Sequence, residues 1–161
     1  MPTVYVETSI VSYLRQRPSS QVVAAARQVL THRWWSCARK DYELVISQYV
    51  LDEAAAGNPM LAEERMAVLE GIPLLPNAPE VEELAESIIS LGVLPDKAQV
   101  DALHIAMVAH HEIDYLLTWN CKHIANAKIL PRIYDLFAER GVYIPVICTP
   151  EELLGEDSED G

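Results

Sequence analysis

Five short apolar runs, rich in β-branched and aromatic residues, punctuate this chain, and each is separated from the next by a stretch of helical period. They are TVYV at 3–6, ELVIS at 43–47, Ile72 to Leu75, Tyr115 to Thr118 and Tyr143 to Cys148. No Asn-Gly or Asp-Gly turn joins any two of them, so the connections are crossovers through helices rather than tight hairpins. Crossovers of this kind make parallel strands with right-handed connections. The expected fold is therefore α/β: a three-layer α/β/α sandwich around a parallel five-stranded sheet. Pro73 lacks an N–H, which places the third run at a sheet edge.

Between the runs the helix signals are regular. Ser9 is expected to cap a helix reaching Leu14. From Gln21 to Lys40, Val22, Ala25, Ala26, Val29, Leu30 and Trp34 fall on or near one face. Helices are expected over 48–56, ended by Gly57, Asn58 and Pro59, over 62–69, and over 81–91, closed by Gly92. Asp96 and Gln99 have the spacing of a capping box. The helix they introduce runs to about His111 and is apolar almost all round, yet contains Asp101. Two more helices are expected around 122–127 and 129–140.

Composition sets limits on function. The 161 residues carry 12 Lys and Arg against 24 Asp and Glu, a formal charge of −12, and half are hydrophobic. That suits one domain over 1–150 followed by an acidic tail over 151–161, whose end is expected to be disordered. A net acidic chain does not coat nucleic acid through a broad basic face, since that mode draws its affinity from neutralising phosphates. It remains compatible with a nuclease whose metal site is itself acidic. Cys37, Cys121 and Cys148 are scattered and odd in number, so neither a disulfide framework nor a zinc ribbon is read from them. With no basic start leading into a long apolar run, the expected compartment is the cytoplasm. Dinucleotide and P-loop glycine motifs and a serine nucleophile elbow are absent.

In an open parallel sheet, ligands gather at the carboxyl ends of the strands. Glu7 follows the first run, Ser47 ends the second with Glu53 six residues on, and Thr118 and Asn120 close the fourth. Asp101 lies in the helix that feeds that fourth run. If the first and fourth runs are neighbours, Glu7, Asp101 and Asn120 converge, with Glu53 reaching them from the flank. Three carboxylates without a basic partner repel, and a bound Mg²⁺ or Mn²⁺ resolves the conflict. The implied chemistry is hydrolysis of a phosphodiester. Each residue also has a plainer reading: Glu7 as an exposed strand end, Glu53 as a helix-surface acid, Asp101 as a partner of Lys97, Asn120 as a helix cap.

The segments VYVETSI at 4–10, ISQYVLDEAAAGNP at 46–59, LPDKAQVDALHIAMVA at 94–109 and DYLLTWNCKHIAN at 114–126 resemble, in order, the motifs of PIN-domain ribonucleases, in particular the VapC-like toxins of toxin–antitoxin pairs. The resemblance implies a Mg²⁺- or Mn²⁺-dependent endoribonuclease that forms a homodimer and is blocked by a cognate antitoxin. It puts the catalytic positions at Glu7, Glu53, Asp101 and Asn120, the first three as metal ligands. Glu7 stands where Asp is commoner and adds one methylene of reach. Asn120 stands where an Asp is often found and removes one negative charge. Thr8 and Thr118 are expected to support the site through their hydroxyls, His104 to orient Asp101 or touch phosphate unless it is a satisfied core residue, and Lys122 and His123 to contact phosphate. Of the two adjacent tryptophans, Trp34 is expected in the core and Trp35 against a partner chain. Two other functions compete: a catalytically silent PIN-like module that binds RNA or a protein, and a different Mg²⁺-dependent phosphohydrolase. The second lacks a DxDxT-type motif after the first run.

Overall fold

A computed structural model describes residues 1–155; the end of the acidic tail lies outside the described residues. Four strands, β1 (Thr3–Val6), β2 (Glu43–Val45), β3 (Tyr115–Leu117) and β4 (Val146–Cys148), form one parallel sheet in the order β2-β1-β3-β4. Eight α-helices accompany them among the described residues: α1 (Thr8–Arg15), α2 (Val22–Arg33), α3 (Gln48–Ala54), α4 (Pro59–Leu69), α5 (Pro79–Ser90), α6 (Gln99–His110), α7 (Leu130–Arg140) and α8 (Pro150–Leu153).

The sheet has four strands rather than five, and the reason is local. The segment around Leu74 makes a single parallel bridge to Ile46, in which Ile46 N donates to Pro73 O and Leu75 N donates to Ile46 O. Pro73 has no N–H to carry the ladder back toward Leu44, and α3 begins at Gln48 on the other side, so the pairing stops after one rung.

The two central strands are buried almost throughout, with Val4, Tyr5, Val6, Leu116 and Leu117 inaccessible to solvent. That burial explains why they read as continuous rather than alternating runs. Nearly all of α6 from Ala102 to Ala109 packs inside, including the polar His104. Helix α2 departs from its pattern: Val22, Val23 and Val29 face outward, while Gln28 and Thr31 are buried. Their hydrogen bonds account for this, Gln28 with Arg17 O and Ser19 N, and Thr31 with the Trp119 indole.

Regular helix also ends at Arg33 rather than at Lys40. A π-helical turn over Trp34–Ala38 and a 3₁₀ turn over Arg39–Asp41 follow it. This turn leaves Trp34 fully buried and Trp35 half-buried, with the Arg39 guanidinium 4.2 Å from a Trp35 ring centre.

Three further expectations are corrected. Glu7, not Ser9, caps α1. No capping box forms at Asp96, since α6 starts from Ala98 without a side-chain cap. Residues 121–124 make turns, not a helix, because Asn120 O accepts from both Ile124 N and Ala125 N and closes the chain on itself.

Candidate active site

The order β2-β1-β3-β4 sends the chain from β1 toward one edge of the sheet and from β3 toward the other. A crevice therefore opens between the carboxyl ends of these two neighbours. Glu7 emerges there directly from β1, and Thr118, Trp119 and Asn120 emerge from β3.

The Glu7 carboxylate is only 4% exposed and is held on both oxygens. Its Oε2 accepts from Ser9 N at 2.9 Å, and its Oε1 accepts from Ser9 Oγ at 2.6 Å and Thr118 Oγ1 at 2.5 Å. Ser9 Oγ in turn accepts from Trp119 N at 2.7 Å, so the two strand ends are stitched across the crevice. These fixed donors leave the longer Glu7 side chain one place to go.

Glu53 arrives from α3. Its Oε1 accepts from Thr8 Oγ1 at 2.7 Å and lies 2.6 Å from His104 Nε2. His104 is fully buried, and its Nδ1 lies 2.6 Å from the Tyr5 hydroxyl, which is 2.6 Å from Ser47 Oγ. A carboxylate only accepts, so Nε2 carries a proton. His104 therefore donates to Glu53, and the chain continues behind it through Nδ1 to the Tyr5 and Ser47 hydroxyls. Burial alone pushes the Glu53 carboxyl up, yet the His104 hydrogen bond and charge, with the Thr8 hydroxyl, bring it below its ordinary 4.5. Burial, together with the Glu7 and Glu53 charges, pushes the Tyr5 phenol up despite its bond to Ser47, so it stays protonated and able to donate.

A lowered folded value means that Glu53 contributes stability above about 4.5, lost as the pH falls through the folded value. Urea midpoints measured from neutral to acid pH are expected to drop in that window, and less steeply in Glu53→Gln. Parallel curves for the two proteins would contradict the assignment.

A second cluster stands one turn earlier on α6. Asp101 Oδ1 accepts from Asn120 Nδ2 at 3.1 Å, and Oδ2 lies 2.9 Å from His123 Nδ1. Asn120 Oδ1 accepts from His123 N at 2.9 Å, and Asn120 N donates to Thr118 Oγ1 at 2.9 Å. Thr118 thus touches both clusters. Potential ligand atoms of Glu7, Glu53 and His104 lie within 4.8 Å of one another, and this group does not include Asp101.

The site residues read from the sequence are therefore distributed as follows. Thr8 serves Glu53 and Thr118 serves Glu7. His104 orients Glu53 rather than Asp101, because its ring turns inward to Tyr5, and full burial keeps it from a phosphate. Asp101, Asn120 and His123 form a group of their own, and Lys122 is exposed beside them. Sequence reasoning missed Tyr5 and Ser9, and named Ser47 only as a strand end. The signal available for Tyr5 was a hydroxyl placed in the middle of an otherwise apolar strand, two residues before the carboxylate.

No protein-family model matches the chain, and no curated protein matches it. Among solved structures it is similar to the crystal structure of Mycobacterium tuberculosis VapC20, a toxin that cleaves the sarcin-ricin loop. The TM-score is 0.58 and the identity 17%, over 75% of this chain and 92% of that chain. The likeness is one of fold, and it is the fold of the VapC kind to which the four sequence motifs pointed. No helix of the described residues is long and apolar enough to cross a membrane.

Proposed function

We propose that the chain is a metal-dependent endoribonuclease, the toxin of a toxin–antitoxin pair, acting in the cytoplasm as a homodimer and restrained by a cognate antitoxin. The observation that carries the reading is the meeting of Glu7 and Glu53, from segments 46 residues apart, beside His104 at the crevice between β1 and β3. Two carboxylates this close, with no Lys or Arg within salt-bridge distance among the described residues, suit a hard divalent cation. Glu7 and Glu53 would hold Mg²⁺ or Mn²⁺, with Asp101 as the third carboxylate. The bound ion would supply charge for the phosphate oxygens and acidify a water.

The chain's own residues do the rest. Ser9 and Thr118 fix the Glu7 carboxylate, while His104 and Thr8 keep Glu53 ionised and aimed. Asn120 caps its own turn with its oxygen and steadies Asp101 with its amide, a positioning role in place of a fourth negative charge. That same engagement of Asn120 favours the second reading, a silent PIN-like module, because its oxygen is already occupied.

Purified protein incubated with a mixed panel of structured RNAs is expected to cut with Mn²⁺ or Mg²⁺ and to stop in EDTA, with activity returning when excess Mn²⁺ is added. Absence of cutting, together with no metal binding by calorimetry, would move the assignment to the silent module.

A further inference from the structure

Three of the twelve basic side chains are half-buried: Arg27, Arg39 and Arg65. Arg65 is satisfied by carbonyls, donating to Ala54 O at 2.9 Å and Ala56 O at 2.7 Å. Arg39 lies just before β2, at the end of the sheet away from the carboxylates. Arg27 is different in both respects. Its guanidinium sits 5.2 Å from a ring centre of Trp119, the residue between Thr118 and Asn120, and reaches only weak acceptors, Tyr13 Oη at 3.4 Å and Cys121 Sγ at 3.9 Å. No carboxylate lies within 4 Å of it among the described residues.

The platform beneath it is fixed. Trp119 Nε1 donates to Thr31 Oγ1 at 2.7 Å, Tyr13 packs edge-on against the indole, and Trp119 N donates to Ser9 Oγ, which holds Glu7. A guanidinium stacked on an indole is desolvated on one face and keeps its in-plane N–H groups for an acceptor. Its fork matches two oxygens of one phosphate, and stacking has already reduced the entropy lost on binding.

We infer that Arg27, on its Trp119 platform, binds a backbone phosphate of the RNA strand lying across the carboxylate crevice. The inference rests on the ribonuclease reading and adds to it the cation that an acidic protein needs to hold its polyanionic substrate. Arg27 sets the affinity for RNA and its dependence on salt, and takes no part in the bond cleavage itself.

The test is anisotropy of a short 5′-fluorescein-labelled single-stranded RNA in EDTA, where binding is read without cleavage, across about 50 to 200 mM salt. Arg27→Gln is expected to bind roughly tenfold more weakly at low salt. Its log–log salt slope should be shallower by about 0.7, the value of one phosphate contact on a single strand. Arg27→Lys keeps the slope and loses affinity with the fork, while Arg39→Gln changes neither. In metal, Arg27→Gln raises KM and leaves kcat within about twofold. Should the glutamine variant not fold, the lysine variant decides, and unchanged affinity there overturns the inference. Equal losses in Arg27→Gln and Arg39→Gln would also overturn it, as would wild-type binding that Arg27→Gln leaves intact; in each case the ribonuclease reading stands. A wild type that neither binds nor cuts RNA would end both.

Discussion

Replacing Glu53 by glutamine is expected to lower RNA cleavage at least about a hundredfold while leaving the fold intact, the scale on which an electrostatic contribution to a transition state is lost. The substitution is nearly isosteric. The amide oxygen still accepts from Thr8 and His104, so the hydrogen bonds that seat the side chain at 2.7 Å and 2.6 Å persist. What disappears is one of the two charges that meet beside His104, and with it much of the attraction for a divalent ion. Calorimetric titration of Mn²⁺ should weaken in parallel with kcat/KM. A variant retaining activity within about threefold would show that Glu53 is not part of the reacting centre.

Tyr5→Phe is expected to cost about 2–6 kcal/mol of stability, a large effect for the loss of one oxygen. Phenylalanine fills the same space, so no cavity opens. The Ser47 hydroxyl and His104 Nδ1, both in fully buried residues, lose their shared partner at once. An unsatisfied buried polar group costs about 1–3 kcal/mol, and here there are two. Urea denaturation measures the loss. A double-mutant cycle with Ser47→Ala should recover part of it, since that change removes one of the orphaned groups. A loss under about 1 kcal/mol would mean that water takes the hydroxyl's place.

Much of the site was legible in the sequence because its geometry follows strand ends. A polar side chain close behind a buried strand has little choice of position in a parallel sheet, and Glu7, Thr118 and Asn120 are all of this kind. Asp101 stood out as a charge inside an apolar helix. The partners of these groups were not legible. Tyr5 is bonded to residues 42 and 99 positions away, distances that no local pattern encodes, and its aromatic ring reads as plain core. His104 follows Asp101 by one turn, which suggested service to that carboxylate. The choice of Glu53 instead depends on how α3 and α6 pack against each other. The third run, Ile72 to Leu75, was over-read as a strand for a simpler reason. Pro73 marked an edge correctly, but a residue that cannot donate does more than mark an edge: it removed the next rung.

The parallel topology also constrains when the site can exist. Glu7 takes a hydrogen bond from Thr118, and Asp101 takes one from Asn120, so the first strand waits for residues more than a hundred positions later in the chain. A nascent polypeptide still short of Asn120 carries Glu7 and Glu53 without the loop that completes their surroundings. The crevice is therefore complete only once residues 118–123 have joined the fold.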